Sequence, residues 1–79
     1  MIQVHVRLFS RFRQYLPRQA RGRAMVELPQ GATVADLVRQ LGIDGRVGVV
    51  TVNEEPEPDR QRVLHEGDEV RIFPFVVGG

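Results

Sequence analysis

The chain has 79 residues with 42% hydrophobic side chains, no cysteine and a formal net charge of +1, which predicts one folded domain with one modest core. No apolar run approaches the roughly 18–20 residues that span a bilayer, and residues 1–4 do not resemble a signal peptide, so we expect a cytoplasmic protein with no membrane partner. The lack of cysteine excludes disulfides and sulfur carried on a side chain, and His5 and His65 lack the spacing of metal ligands, so we expect no metal site.

The chain begins with a predicted strand and a short helical stretch. Over residues 2–8 apolar side chains alternate with polar ones, which is the period of a strand with one buried face. Phe12, Tyr15 and Leu16 are spaced like neighbours on one helix face. Residues 9–16 are therefore predicted to be helical until a proline ends the stretch.

An arginine-rich loop over residues 18–23 leads to a second strand over residues 24–28, which we expect to pair antiparallel with the first. The clearest helix spans residues 33–41, where the Thr33 hydroxyl is placed to cap the first turn and apolar residues recur on one face. Gly42 stands where a left-handed C-terminal cap is expected. A helix this short is unstable alone in water, so it must pack on a sheet.

The second half of the chain supplies the remaining strands. Residues 47–52 are rich in β-branched side chains and predict a third strand, with a turn after it over residues 53–56. The charged residues 57–62 predict a surface loop, with room for a short edge strand. A tight turn over residues 65–68 precedes the last strand, which we expect to stop at Pro74 because proline has no amide donor.

This order of elements predicts an α+β fold. One helix covers one sheet face, so we expect a mixed sheet of four or five strands with the helix on one side and the last strand beside the first. That arrangement is the β-grasp architecture of ubiquitin-like domains. We predict a β-grasp domain over residues 1–74 and a flexible, extended diglycine tail over residues 75–79.

Charge is unevenly placed along the chain. Residues 1–40 carry seven arginines and two acids, a net charge of +5, whereas residues 41–79 carry four arginines and eight acids, a net charge of −4. This favours a docking surface or a solvated face over nucleic-acid binding, which usually needs a denser basic patch with exposed aromatics. All eleven basic side chains are arginine. One explanation is codon or temperature bias. The other is functional: a chain without lysine offers no side-chain amine that its own activated terminus could acylate.

The C-terminal segment GDEVRIFPFVVGG, residues 67–79, closely resembles the C-terminus of MoaD and of the wider MoaD/ThiS family of sulfur carriers. Three further stretches agree with the family in register, namely RLFSRFRQYL, LPQGATVADLVRQLG and VVTVN. The sequence departs from the family at Glu54, where glycine is common, and at Phe75, where a second proline is common. The change at Phe75 bears on which partner the tail fits.

The resemblance implies a sulfur carrier that catalyses nothing alone and holds no permanent cofactor. An E1-like adenylating enzyme of the MoeB or ThiF type would use ATP to turn the Gly79 carboxylate into an acyl-adenylate. A sulfur donor protein would then supply the sulfur of a C-terminal thiocarboxylate. In molybdopterin synthase a MoaE-like large subunit receives that sulfur for molybdenum cofactor biosynthesis. Gly78 and Gly79 suit a narrow activating channel because glycine has no side chain.

The predicted docking site surrounds the base of the tail. Its residues are apolar residues of the tail base and two arginines, namely Phe73, Pro74, Phe75, Val76, Val77, Arg11 and Arg13. Phe73 and Phe75 either join an exposed apolar partner surface or fold back onto the core. The two arginines either pair with an acidic partner or belong to a solvated face. Residues 74–79, when extended, reach up to about 20 Å from the sheet.

Three other functions fit the same pattern. One is a sulfur carrier for the synthesis of thiamine, cysteine or another thio-metabolite. Another is a ubiquitin-like protein modifier, whose activated terminus is joined to lysines of other proteins. The third is a β-grasp binding module with an inert tail.

Overall fold

Five strands and one α-helix succeed one another in the computed structural model, which describes residues 1–44 and 46–75. The strands are β1 (Ile2–Leu8), β2 (Arg23–Leu28), β3 (Val47–Val52), β4 (Glu55–Pro56) and β5 (Glu69–Pro74), and the helix is α1 (Val34–Gln40). Two 3₁₀ helices, Ser10–Tyr15 and Arg18–Ala20, connect β1 to β2. No helix in this described part of the chain is long and apolar enough to cross a bilayer.

The strands form one mixed sheet in the order β2-β1-β5-β3-β4. β1 pairs antiparallel with β2 and parallel with β5, while β3 pairs antiparallel with both β5 and β4. The last strand therefore returns to the centre of the sheet beside the first. This confirms the predicted β-grasp fold.

The core lies between the inner face of the sheet and α1. Val4, Val6, Val70 and Ile72 of the two central strands are at most 1% exposed, and Leu37 of α1 is fully buried in the same cluster. Burying a side chain of this size stabilises the fold by about 1.5–3 kcal/mol. Packing, more than helix propensity, therefore holds the seven-residue α1.

The turn before β5 is tied to the turn after β3. The carboxylate of Asp68, which is only 9% exposed, accepts hydrogen bonds from Asn53 Nδ2 at 2.9 Å and from the His65 amide at 2.8 Å. The Asn53 side-chain oxygen in turn accepts from the Glu69 amide at 2.9 Å. These bonds explain why the Gly67-Asp68-Glu69 segment fits this point of the fold.

Two local predictions are wrong. The predicted turn over residues 53–56 is only two residues long, because Asn53 and Glu54 both take positive φ (51° and 73°) and reverse the chain. Glu55–Pro56 then pairs with β3 as the edge strand β4, and an edge strand tolerates a residue without an amide donor. The predicted loop over residues 18–23 also contains a 3₁₀ turn at Arg18–Ala20.

The N-terminus of α1 is closed by a reciprocal capping box. Thr33 Oγ1 accepts from the Asp36 amide at 3.2 Å, and Asp36 Oδ2 accepts from the Thr33 amide at 2.9 Å. The Thr33 amide and then the Thr33 hydroxyl hold the pKa of Asp36 below its ordinary value of 3.8, with Arg39 adding a smaller effect. Since the folded state lowers this pKa, Asp36 stabilises the fold fully above about pH 4.

We predict that Asp36→Asn lowers the free energy of unfolding at pH 7, and that the gap to the parent protein closes as the pH falls below about 4. Urea unfolding between pH 7 and pH 2 measures the gap. Asp44→Asn, which removes an exposed carboxylate outside the capping box, is the matched control. A gap for Asp36→Asn that stays constant across this range would contradict the role of the ionised box.

Candidate functional site

The described chain ends where β5 leaves the sheet. Pro74 is the last residue of β5 and is buried opposite Val47 of β3. The Phe75 amide donates to the Arg46 carbonyl oxygen at 2.9 Å, which holds the chain against β3 for one more residue. The predicted site residues Val76, Val77, Gly78 and Gly79 lie outside the described residues.

Gly48 allows the close approach of β3 to the tail base. A Cβ atom at this position would lie 2.8 Å from the Pro74 carbonyl oxygen and 2.9 Å from Phe75 Cα. Both atoms belong to the backbone, so no side-chain rotation relieves the clash. The strand pairing is irregular at this same place, between Val47 and Val49. A bulge of this kind commonly re-aims a strand end next to a functional site.

Two arginines hold Phe75 from either side. Arg11 Nη2 donates to the Phe75 carbonyl oxygen at 3.2 Å. The Arg46 guanidinium carbon lies 5.5 Å from the centroid of the Phe75 ring, within range of a cation–π interaction. The ring itself stays 43% exposed. Backbone and side chain of Phe75 are thus both fixed at the surface, at the point where the tail starts.

An apolar surface lies on the outer face of the sheet beside Phe75. Strand alternation places Phe73 on this face, where its ring stacks on Phe9 at 4.3 Å with 13° between the planes. Val49 of β3, which stands opposite Phe73 in the strand pairing, is 50% exposed. Val49, Phe73 and Phe75, here called the tail-base surface, line a cleft of about 550 Å³.

The structure separates the two arginines that the sequence placed together. Arg11 contacts the tail base through Phe75, as described above. Arg13 instead packs beside Gly22 at the start of β2, with its Cγ and Nε 3.2 Å from where a Gly22 Cβ would stand. Phe73 is half-buried by Phe9, whereas Phe75 is exposed, so only one of the two rings is freely presented.

Sequence reasoning missed four contributors to this site, namely Phe9, Arg46, Gly48 and Val49. One signal was present: a glycine inside a run of β-branched residues often marks a bulge or a close backbone approach. Residues 1–44 and 46–75 contain no group of three or more His, Cys, Asp or Glu side chains that could hold a metal ion.

Comparison with known proteins decides the family. The model of the ThiS family matches residues 6–79, nearly the whole chain. The chain belongs to the ThiS family. This confirms the resemblance to MoaD/ThiS carriers seen in the sequence. A search of curated proteins gave no significant match.

Solved structures share the fold of this ThiS-family chain over most of its length. A Pyrococcus furiosus protein, provisionally named molybdopterin converting factor subunit 1, is 28% identical with a TM-score of 0.78, covering 96% of this chain and 100% of its own. Small archaeal modifier protein 1 of Haloferax volcanii is 18% identical with a TM-score of 0.75, at the same coverage of 96% and 100%.

A third solved structure, the Haloferax volcanii protein HVO 2177, is 24% identical with a TM-score of 0.77, covering 99% of this chain and 87% of its own. Both Haloferax volcanii proteins are less than 25% identical to this chain, so their similarity shows a shared fold and no more. The ThiS-family chain therefore has the fold that serves both sulfur carriers and ubiquitin-like modifiers.

We predict that Gly48→Ala detaches the tail base from β3, because the new Cβ would overlap the backbone of Pro74 and Phe75. Overpacking of this kind costs about 1–3 kcal/mol of unfolding free energy. Hydrogen exchange should show that the Phe75 amide loses its protection. Val49→Ala, which truncates the exposed neighbour, is expected to change stability little. Unchanged stability together with a protected Phe75 amide in Gly48→Ala would refute this role.

Proposed function

We propose that this ThiS-family chain is a sulfur carrier whose Gly79 carboxylate is adenylated and converted into a thiocarboxylate. We further propose that it donates this sulfur in molybdopterin synthesis, as the small subunit of molybdopterin synthase. The observation that carries the proposal is the tail-base surface: an apolar docking patch lies at the point where the tail leaves the sheet. A partner docked there receives the terminus, because the four residues after Phe75 extend up to about 14 Å.

The patch is suited to a protein partner. It combines exposed apolar groups with arginines at its edge, and such composition is typical of interfaces. Val49 and Phe75 supply the exposed apolar area, while Arg11 and Arg46 stand beside Phe75. We propose that the same patch docks an E1-like adenylating enzyme and a MoaE-like large subunit in turn. Because both partners would bind the same patch, only one of them could be bound at a time.

The proposed chemistry takes place at the terminal carboxylate. A carboxylate oxygen of Gly79 attacks the α-phosphorus of ATP, and pyrophosphate leaves. The terminal sulfur of a donor persulfide then attacks the acyl carbon, and AMP leaves. A thiol finally attacks the donor's sulfur in the resulting acyl persulfide, forming a disulfide and releasing the thiocarboxylate. This chain has no cysteine, so its terminus is the position available to carry the sulfur.

The proposed role in molybdopterin synthesis is supported by one relative. The Pyrococcus furiosus relative is provisionally named as a molybdopterin converting factor subunit, and it matches 96% of this chain at 28% identity. The competing pathways are thiamine, cysteine and other thio-metabolite synthesis. Sulfur transfer from the thiocarboxylated chain to a pterin precursor, in the presence of a MoaE-like subunit, would support molybdopterin synthesis against these.

A protein modifier is the second candidate, favoured by the likeness to small archaeal modifier protein 1. The lysine-free sequence suits this function equally well, because the chain offers no side-chain amine to its own activated terminus. In this case the Gly79 acyl group would pass to lysines of other proteins. Conjugates of higher mass in cells, with no thiocarboxylate on the free chain, would favour the modifier.

We predict that incubation with ATP, an E1-like enzyme and a persulfide donor raises the intact mass by about 16 Da, one oxygen being replaced by sulfur. The reaction without ATP and the Gly79-deleted chain are the controls, and both are expected to keep their mass. No gain with an enzyme that activates other carriers of this family would reject the sulfur-carrier proposal.

We predict that Val49→Glu weakens binding to the E1-like enzyme by about tenfold or more, because docking would bury an unpaired carboxylate. Val63→Glu is the matched control, since Val63 is also exposed (42%) but lies beside Thr33, away from the tail. Calorimetric titration gives both affinities, and urea unfolding confirms that both variants fold. Equal affinities for the two variants would place the docking surface elsewhere.

A further inference from the structure

A second cavity is lined by Phe9, whose ring stacks on Phe73 of the tail-base surface. It has a volume of about 550 Å³, opens to solvent and lies between the end of β1, the two 3₁₀ helices and the start of β2. Its polar lining consists of Ser10 and four arginines, Arg7, Arg13, Arg21 and Arg23, and no acidic residue lines it. The concavity is therefore strongly electropositive.

The strand register brings like charges together beside this cavity. Arg7 of β1 stands directly opposite Arg23 of β2 and beside Arg71 of β5, so three arginines form a row across the sheet. Like charges directly opposite each other destabilise a sheet. Arg71 is balanced by Glu69, with Nη2 and Oε1 2.9 Å apart. Within residues 1–44 and 46–75, neither Arg7 nor Arg23 has an ion-pair partner.

One of these side chains is already held by its surroundings. The Arg7 guanidinium carbon lies 5.3 Å from the centroid of the Phe9 ring, and Arg7 is half-buried. Arg13 is exposed, with its Cγ and Nε beside the buried Gly22. An anion entering the cavity therefore meets one guanidinium group, that of Arg7, that loses little freedom on binding it.

We propose that this cavity binds the phosphate chain of a small molecule. A phosphate group brings about two charges and several acceptor oxygens into one compact unit, which a concave site reaches from several sides at once. A protein carboxylate brings only one charge and two acceptor oxygens, so it would engage fewer of the guanidinium groups around the cavity. The Phe9 ring is already covered by Phe73 and Arg7, so no aromatic face is free to stack on a base. Recognition is thus of the phosphates.

The choice of arginine over lysine does not enter this inference, because every basic residue of the chain is arginine. The cavity is distinguished by its strand register, its concavity and the lack of ion-pair partners for Arg7 and Arg23 among the described residues. The proposed binding is independent of the proposed sulfur chemistry, since none of the reacting groups of the tail takes part in it.

The test is a titration of the full-length chain with inorganic pyrophosphate at low salt, followed by the backbone amide and arginine Nε–H resonances. We expect chemical-shift changes that saturate at the cavity residues, namely Arg7, Ser10, Arg13, Arg21 and Arg23. The affinity obtained from these changes should fall as salt is added. Parallel titrations with ATP and inorganic triphosphate distinguish the source of the phosphates. Equal affinities for ATP and triphosphate indicate recognition of the phosphate chain alone. Tighter binding of ATP than of triphosphate indicates that the nucleoside adds contacts outside the stacked Phe9 ring to the same phosphate site, and both results support the proposal.

Matched substitutions separate the cavity from overall charge. Arg23→Gln removes a cavity guanidinium, and Arg39→Gln removes an exposed guanidinium from α1, so both lower the net charge by one. We expect Arg23→Gln to weaken pyrophosphate binding by about tenfold or more, since one charge-assisted hydrogen bond is lost, and Arg39→Gln to change it by less than about twofold. Arg21→Gln, in the turn before β2, provides an independent second variant, and amide spectra confirm folding.

Three results would overturn the proposal. The first is a titration that does not saturate. The second is an equal loss of affinity in Arg23→Gln and Arg39→Gln, which indicates charge screening alone. The third is binding of a polyglutamate peptide or single-stranded RNA at these residues without binding of pyrophosphate.

Discussion

The parallel pairing of β1 with β5 at the centre of the sheet is the constraint on which the rest of the structure depends. Parallel neighbours need a long connection, and the segment that contains β2, α1, β3 and β4 supplies it. Because β5 lies centrally, its inner face is buried by the core, and its C-terminal end is flanked by the end of β1 and the start of β3. The tail therefore starts from a strand that is paired on both sides. A tail on an edge strand would have a less fixed origin.

The same pairing assembles the two surfaces of the molecule. It sets Phe9, just after β1, against Phe73 of β5, so that the tail-base surface, which contains Phe73, adjoins the arginine-lined cavity, which Phe9 lines. Gly48 completes the arrangement, because only a residue without a Cβ lets β3 approach Pro74 and Phe75 so closely. The docking proposed for the tail base and the anion binding proposed for the cavity thus use neighbouring but different sets of residues.

The sequence predicted regular elements well and contacts between distant segments poorly. Alternation in residues 2–8, β-branched residues in 47–52 and the capped helix after Thr33 are local signals, and the structure has strands and a helix there. The edge strand Glu55–Pro56 was missed because residues 53–56 indicated a turn, and a short edge strand was expected only later, within residues 57–62. Its pairing comes from β3, which no local pattern reports.

The candidate site shows the same limit. The family motif pointed to the tail, and Phe75 and Arg11 do meet at its base. Arg13 is only two residues from Arg11 in sequence, yet it packs beside Gly22, because the tight 3₁₀ turn sends the two side chains to different neighbours. Arg46 and Val49 had no chemical signature in the sequence. They became recognisable only once strand register placed them beside Phe75 and Phe73.

The central claim is that the carboxyl group of Gly79 carries the sulfur. Tandem mass spectrometry of the chain purified from its own cells tests this most directly, because fragment ions locate the added mass on the sequence. The account predicts that only fragments containing Gly79 carry the exchange of oxygen for sulfur. Sulfur located at any other residue, or an unmodified Gly79 in cells that are actively making the sulfur-containing product, would contradict it.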